Sequence, residues 1–130
     1  MAKVKLTATE KLFKKARKHN WDSGYKQLYK IIKDENCDKG TALFIYWMSR
    51  PEWYQKYSSF SEVQSHEKDA FLFLQFIEES YDKIKLEEII YDPYEAGEVG
   101  LYENPIKRNL PEIMYKKTNG IIHYKDVVKK

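Results

Sequence analysis

The feature that most constrains the fold is a run of six large apolar residues, 43–48, near the middle of the chain. Asp38 precedes this run, and its side chain suits the N-cap of a helix because it accepts a hydrogen bond from a free first-turn amide. Pro51 follows the run and stops a helix. A helix that is apolar on all sides has no face for solvent. The sequence therefore predicts a central helix over 38–49, and the small residues at 40–42 predict that a neighbouring helix approaches its first turn closely.

Apolar residues at helical spacing predict further helices on both sides of this segment. They are expected at residues 8–18, 24–34, 51–57, 62–82 and 111–117, with a break near His66 in the longest one. Thr7 and Glu10 form a capping-box pattern at the start of the first. Residues 86–92 and 121–124 are interpreted as short extended segments, and their pairing stays open. The predicted fold class is all-α or mainly α, with five or six helices in a helix-pair bundle or a short α-solenoid.

Length and composition predict one compact domain over residues 1–130, since 42% of the residues are hydrophobic and 33% are charged. Residues 1–6 form a basic tail without the apolar region of a secretory signal. No apolar run is long enough to span a membrane. The one cysteine and the three scattered histidines suggest neither a metal site nor a disulfide. We therefore expect a cytoplasmic protein without a cofactor, a metal or a membrane partner.

Charge is distributed in blocks along the sequence. Residues 1–33 contain ten Lys or Arg and two acidic residues, whereas residues 78–103 contain two Lys and nine acidic residues. Within the second block, residues 94–105 contain two glycines and predict an acidic surface loop. Such blocks steer charged partners, and they also pair with each other inside one fold. Both interpretations are open from the sequence.

The acidic block and the absence of a catalytic motif favour a non-enzymatic protein-binding module. Opposed charges speed association and exclude wrong partners. The acidic block would therefore suit an immunity- or antitoxin-type inhibitor that covers the basic site of a nuclease-like toxin. The predicted partner-binding residues are Glu87, Glu88, Tyr91, Asp92, Tyr94, Glu95 and Glu98. We expect the protein itself to be a monomer or a small homo-oligomer.

The alternative hypothesis is a nucleic-acid-binding accessory protein, because the first predicted helix is rich in cations that suit phosphates. Its predicted contacts are Lys11, Lys14, Lys15, Arg17 and Lys18. A solvated basic face is the competing structural interpretation.

Two shorter motifs have a chemical and a structural interpretation each. Cys37 stands at a predicted helix start, where the helix dipole lowers a thiol pKa, so a small enzyme built on Cys37 is the third hypothesis. A buried cysteine that packs at the helix start is favoured over it. The turn of residues 21–24 is interpreted either as a ligand-recognition turn or as a structural one. In the structural interpretation, which is favoured, Asp22 or Ser23 caps the next helix and Trp21 packs against the core.

Several short stretches resemble a known family. They are Asn20-Trp21-Asp22-Ser23-Gly24, Asn36-Cys37-Asp38, Gly40-Thr41-Ala42-Leu43 with Phe44-Ile45-Tyr46-Trp47, and, more weakly, Tyr91-Asp92-Pro93, Leu110-Pro111-Glu112 and Thr118-Asn119-Gly120. Together they resemble the bacterial domain-of-unknown-function family 4274 over about residues 10–122. Where that family often has Asp-Asp after the tryptophan, this chain has Asp22-Ser23. The resemblance implies a small, mainly helical protein without an established activity.

Overall fold

The computed structural model describes residues 5–130, so the first four residues of the predicted basic tail lie outside the described part. The α-helices are α1 (Ala8–Arg17), α2 (Lys26–Lys33), α3 (Lys39–Met48), α4 (Lys68–Ser80) and α5 (Tyr124–Lys129). Short 3₁₀ helices span Trp21–Ser23, Pro51–Lys56, Phe60–Glu62, Ser65–Glu67, Tyr81–Lys83 and Glu112–Tyr115. The strands are β1 (Ile89–Ile90) and β2 (Ile122–His123). The predicted mainly-α fold is confirmed.

Helix α3 lies at the centre of the fold, as its apolar sequence predicts. Seven of its ten residues are buried, among them Tyr46 and Trp47. It packs against α1, α2, α4 and β1. The indole N–H of Trp47 donates to the carbonyl of Met114 at 2.8 Å, so even the polar edge of this large side chain is satisfied in the core.

The N-terminal end of α3 is fastened to β1 by a buried carboxylate. One oxygen of Asp38 accepts the Thr41 N–H at 2.8 Å, and the other accepts the N–H groups of Glu88 and Ile89 at 3.0 and 2.7 Å. A Cβ atom at Gly40 would lie 2.2 Å from the Ile89 carbonyl oxygen. The predicted close approach at this turn is therefore real, but the neighbouring element is a strand and not a helix.

The two short strands pair in parallel, with Ile89 opposite Ile122. Parallel neighbours need a long connection, and residues 91–121 provide it. The prediction of an extended segment over 121–124 is wrong at its end, since Tyr124 begins α5. The His123 side chain caps this helix by accepting the Lys125 N–H at 3.2 Å.

A small second core joins the two ends of the described chain. Phe13 of α1, Ile89 of β1 and Val127 of α5 are each fully buried there. The predicted capping box of Thr7 and Glu10 is present at the start of α1, and the ammonium group of Lys130 also binds the Glu10 carboxylate.

The helix predicted over residues 62–82 is shorter than expected. Val63 and Gln64 have extended backbone angles, so α4 begins only at Lys68, and the predicted break near His66 is confirmed. The segments predicted as helices over 51–57 and 111–117 form single 3₁₀ helices.

Candidate functional site

The predicted acidic surface is largely engaged with the rest of the protein. The Glu87 carboxylate accepts the Asn119 N–H at 2.9 Å. The Glu88 carboxylate accepts the Thr7 hydroxyl at 3.4 Å, and the Glu88 N–H is held by Asp38. Both glutamates are only partly exposed. A partner would have to compete with these internal bonds.

The next two predicted carboxylates are engaged as well. Asp92 accepts the Tyr94 N–H at 3.0 Å and so stabilises its own turn. Glu95 is paired with the Nε2 of His123. Tyr94 itself is 61% exposed and remains available to a partner.

Tyr91 is wrongly placed among the predicted surface contacts. It is 1% exposed, and its ring lies 5.7 Å from that of Phe44 and 5.1 Å from that of Tyr124. It directly follows Ile89 and Ile90 of β1, which directs its ring into the core. Glu98 is partly buried, which raises the pKa of its carboxyl, while the nearby Arg50 opposes that rise.

The predicted basic helix does present its cations to solvent. Lys11, Lys15, Arg17 and Lys18 are exposed and Lys14 is partly exposed. None of the five forms an ion pair with another residue of the described range 5–130. Phe13 and Ala16 occupy the buried side of the same helix.

Cys37 does not have the environment of a nucleophile. It is 3% exposed, and its burial, together with Asp38 and Asp34, raises the pKa of the thiol to about 12. Because the thiolate is the reactive form, this burial favours the structural interpretation of Cys37, a buried cysteine that packs at the helix start.

Residues 5–130 contain no cluster of three His, Cys, Asp or Glu side chains placed to hold a metal ion. In the same range, each helix is too short or too polar to cross a membrane.

An aromatic cleft of about 610 Å³ opens at the C-terminal end of α3. Its lining residues are Trp21, Tyr25, Met48, Ser49, Arg50, Trp53, Tyr54 and Tyr102. We refer to this set as the aromatic cleft. Its volume lies within the usual range of ligand pockets, about 300 to 1,000 Å³.

The turn before α2 presents Trp21 at the edge of this cleft. The Asn20 side chain accepts the Asp22 N–H at 3.0 Å, and the His19 ring bonds the Gly24 carbonyl at 2.9 Å. Trp21 is 41% exposed and meets the ring of Tyr25 edge to face at 6.3 Å.

The favoured structural interpretation of this turn is therefore wrong in both parts. Neither Asp22 nor Ser23 caps α2, whose N-cap Tyr25 forms no side-chain cap bond, and Trp21 does not pack into the core.

Trp53 forms the opposite wall and is held by a buried carboxylate. Its indole N–H donates to Glu67 at 2.6 Å, and the Tyr57 hydroxyl donates to the other oxygen of Glu67 at 2.7 Å. Burial alone would raise the pKa of Glu67, but these two bonds and the nearby charges of Lys56 and His66 together leave the pKa below its ordinary value of 4.5. Lys56 places its ammonium group 3.4 Å from the centre of the Trp53 ring.

Tyr102 reaches the cleft because the predicted acidic loop is folded back onto the protein. The Glu52 carboxylate accepts the Gly100 N–H at 2.7 Å, and the Asn104 side chain donates to the Glu52 carbonyl at 3.3 Å. The ring of Tyr102 then lies 5.5 Å from that of Trp53.

Arg50 lies in the cleft with a strained backbone. Its φ and ψ are 60° and 59°, and it is the one residue other than glycine with positive φ in the described range 5–130. Helices commonly end in this left-handed conformation, but the residue there is usually glycine, because a Cβ atom costs about 1–2 kcal/mol in it. The strain is thus retained at a position whose side chain lines the cleft.

Several polar groups of the cleft have no partner within residues 5–130, although Trp53 and Ser49 in its lining do. The indole of Trp47 and the hydroxyls of Tyr46 and Tyr57, outside the cleft, all donate hydrogen bonds. In the cleft, the hydroxyls of Tyr25, Tyr54 and Tyr102 and the indole N–H of Trp21 donate none to that part of the chain. Burial raises the pKa of Tyr54 above its ordinary value, so its hydroxyl stays protonated. These groups are available to a ligand.

A second groove of about 630 Å³ adjoins the aromatic cleft through Tyr25. Tyr25, Tyr29 and Leu72 supply its apolar surface. Lys26, Lys30 and Lys33 of α2 border it at helical spacing.

The sequence contained partial signals for the cleft. Proline at position 51 marks the end of α3, but the left-handed backbone of Arg50 is not indicated by the sequence. Trp53 and Tyr54 fall within a predicted helix, but their exposure depends on which neighbours cover them. Tyr102 is brought in from a distant loop by Glu52, and no local pattern indicates that.

Comparison with known proteins gives one family match. The model of the domain of unknown function DUF4274 matches residues 8–82. This range contains the Asn20–Gly24 turn and the Asn36–Trp47 segment, whereas the three resembling stretches after residue 90 lie beyond it. Neither a curated protein nor a solved structure matches the chain. Because the matched range covers more than half of the 130 residues, the chain belongs to the DUF4274 family.

Proposed function

We propose that this protein is a non-enzymatic protein-binding module and that the aromatic cleft is its binding surface. The observation that carries the proposal is the exposure of Trp21 and Trp53 beside Arg50 in one concave site. Tryptophan, tyrosine and arginine are the residue types that dominate binding energy at protein interfaces.

The free polar groups of the cleft support this choice of surface over the acidic segment. A partner that bonds the hydroxyls of Tyr25 and Tyr102 displaces only water. A partner that bonds Glu87 or Asp92 shares a carboxylate that already accepts a backbone N–H of the protein. A hydrogen bond of the same kind should therefore contribute more to the binding free energy in the cleft than at the acidic segment.

The charges around the cleft favour a basic protein partner. Glu98 shares a small adjoining depression with Arg50 and Tyr102, so one residue of the predicted acidic set borders the proposed site. As an immunity- or antitoxin-type inhibitor in a bacterial cytoplasm, the protein would hold a nuclease-like toxin in the cleft, and the acidic residues beside it would steer the encounter.

The test is a pull-down from a lysate of the source organism with three forms of the tagged protein. We expect the unaltered protein and Tyr94→Ala to retain one stoichiometric protein, and Trp21→Ala to lose it. Both altered residues are exposed aromatics, so Tyr94→Ala controls for general stickiness. Retention by Trp21→Ala with loss by Tyr94→Ala would move the binding surface to the acidic segment, and equal retention by all three would refute the cleft.

Nucleic-acid binding is a second candidate, favoured by the unpaired cations of α1. Replacing Lys14, Lys15 and Lys18 by glutamine should weaken the binding of a 20-nucleotide RNA and flatten its salt dependence, because each phosphate contact releases counterions. Binding that is unchanged in this triple variant would exclude α1 as the contact.

A further inference from the structure

We infer that the segment which fills the aromatic cleft is a proline-rich stretch of a partner protein in the polyproline II conformation. This inference rests on the proposed function, since it names the part of the partner that the same cleft recognises. It follows from the hydrogen-bonding character of the cleft, from its ring arrangement and from the charges around it.

The cleft offers hydrogen-bond donors and lacks carboxylate or amide side chains. The donors are the indole N–H of Trp21, the guanidinium group of Arg50 and the tyrosine hydroxyls. None of the eight lining residues is Asp, Glu, Asn or Gln. Its best ligand is therefore rich in acceptors and poor in donors. A proline-rich chain has this character, because its carbonyls have no internal partners and proline has no N–H.

The rings of the cleft form two walls that suit a ridged, rigid ligand. Trp21 and Tyr25 make one wall, with ring centres 6.3 Å apart, and Trp53 and Tyr102 make the other, with ring centres 5.5 Å apart. Both pairs are arranged edge to face. A polyproline II helix is already formed in the free peptide, so little entropy is lost when it docks into an aromatic groove.

The charges near the cleft disfavour the other ligands that stack on aromatic rings. Four carboxylates, those of Asp22, Glu52, Glu67 and Glu98, lie around the cleft itself with Arg50 and Lys56, whereas the lysines of α2 border the adjoining groove beyond Tyr25. A nucleic acid would bring negatively charged phosphates close to these carboxylates, which would repel them. A quaternary ammonium ligand would be repelled by the positive charge of Arg50 in the cleft. The ammonium group of Lys56 also already lies over the Trp53 ring, where such a ligand would bind.

The chain does not contain the ligand itself. It has four prolines, at positions 51, 93, 105 and 111, and no two of them are close in sequence. The proposed proline-rich segment therefore lies outside these 130 residues.

The three tryptophans provide the experiment with an internal control. In a ¹H–¹⁵N spectrum each indole N–H gives its own signal. Trp21 and Trp53 line the cleft, whereas Trp47 donates to Met114 in the core. Titration with acetylated, amidated decaproline should shift the Trp21 and Trp53 signals to saturation and leave Trp47 unchanged. A capped decapeptide of alternating glycine and serine should shift none of them.

A pair of variants tests the contact directly. Trp21→Ala should weaken decaproline binding at least tenfold, a loss of about 1.4 kcal/mol, as is usual for a central aromatic contact. Tyr94→Ala should change it less than twofold. An unmoved Trp47 signal in both variants shows that the fold is intact.

Each other outcome overturns the inference in a distinct way. Without a saturable shift from decaproline, or with an equal shift from the glycine-serine peptide, the ligand is not a polyproline helix. If the lysate experiment still captures a protein through Trp21, the proposed function stands and only its ligand class fails. If a hexauridine oligonucleotide shifts Trp21 and decaproline does not, the cleft is a base-stacking site. If decaproline binds as expected but no protein depends on Trp21, it is the inhibitor role that fails.

Discussion

The two ends of helix α3 are built in opposite ways. At the N-terminal end, Asp38 is fully buried, and its carboxylate accepts three backbone N–H groups. At the C-terminal end, twelve residues further on, Arg50 is exposed, has a left-handed backbone and borders an open cleft. At one end both oxygens of the buried carboxylate are bonded within the fold, and at the other the hydrogen-bonding groups of the cleft are free.

This difference separates stability from recognition along a single helix. A buried carboxylate is tolerated only where its hydrogen bonds are complete, so the N-terminal end stabilises the fold and has nothing to offer a partner. The C-terminal end keeps backbone strain, and strain of this kind occurs chiefly at functional sites. Substitutions at the first end should therefore destabilise the protein, and substitutions at the second should change binding.

The largest expected effect is that of Asp38→Ala. It leaves the N–H groups of Thr41, Glu88 and Ile89 without an acceptor, and we expect a loss of about 3 kcal/mol or more in the free energy of unfolding. Urea denaturation measures it. Asp34→Ala is the matched control, because Asp34 is exposed and bonds only the nearby Asn36 N–H. Equal losses in the two variants would contradict the structural role of Asp38.

Gly40→Ala tests the close contact of α3 with β1. The new methyl group would lie 2.2 Å from the Ile89 carbonyl oxygen, and the backbone must shift. We expect a loss of about 2 kcal/mol, typical of overpacking, although alanine favours helices over glycine. Gln27→Ala, at an exposed position of α2, should change the unfolding midpoint very little. If Gly40→Ala is more stable than the unaltered protein, β1 must shift away from the new methyl group at little cost in free energy.

Arg50→Gly should stabilise the protein, whereas the two preceding substitutions should destabilise it. Glycine adopts the left-handed conformation without a Cβ clash, so we expect a gain of about 1 kcal/mol in stability. Arg50→Ala keeps the Cβ atom and should gain nothing. Both variants should bind decaproline more weakly than the unaltered protein, since both lack the guanidinium group. A protein that is destabilised equally by both changes would indicate that Arg50 serves the fold, and the contrast between the helix ends would fail.

The smallest expected effect is a dependence on pH at the cleft. Because the folded-state pKa of Glu67 lies below 4.5, its ionised form stabilises the protein above that pH, and the contribution is lost as the pH falls through the folded-state value. Protonation weakens the bond from Trp53, so the Trp53 indole signal should move in this acidic range. Glu67→Gln should remove this movement and leave the Trp47 signal unaffected. A movement that persists in Glu67→Gln would assign the titration to another carboxyl.

The sequence by itself determined the central helix, the mainly-α class and the capping box, because each depends on neighbours within one or two helical turns. Apolar periodicity, Asp38 at the start and Pro51 after the end act locally, and the tertiary structure confirms what they predict. Local patterns also placed the break near His66.

Only the tertiary structure decided which surface is free. Tyr91 is buried because β1 directs it inward, Trp21 is exposed because no element covers its turn, and Tyr102 reaches the cleft because Glu52 holds a loop about fifty residues away in sequence. The partners of Glu87 and Glu95 are likewise distant in the chain. Burial and long-range hydrogen bonds depend on how elements assemble, and a single sequence carries no local signal for them.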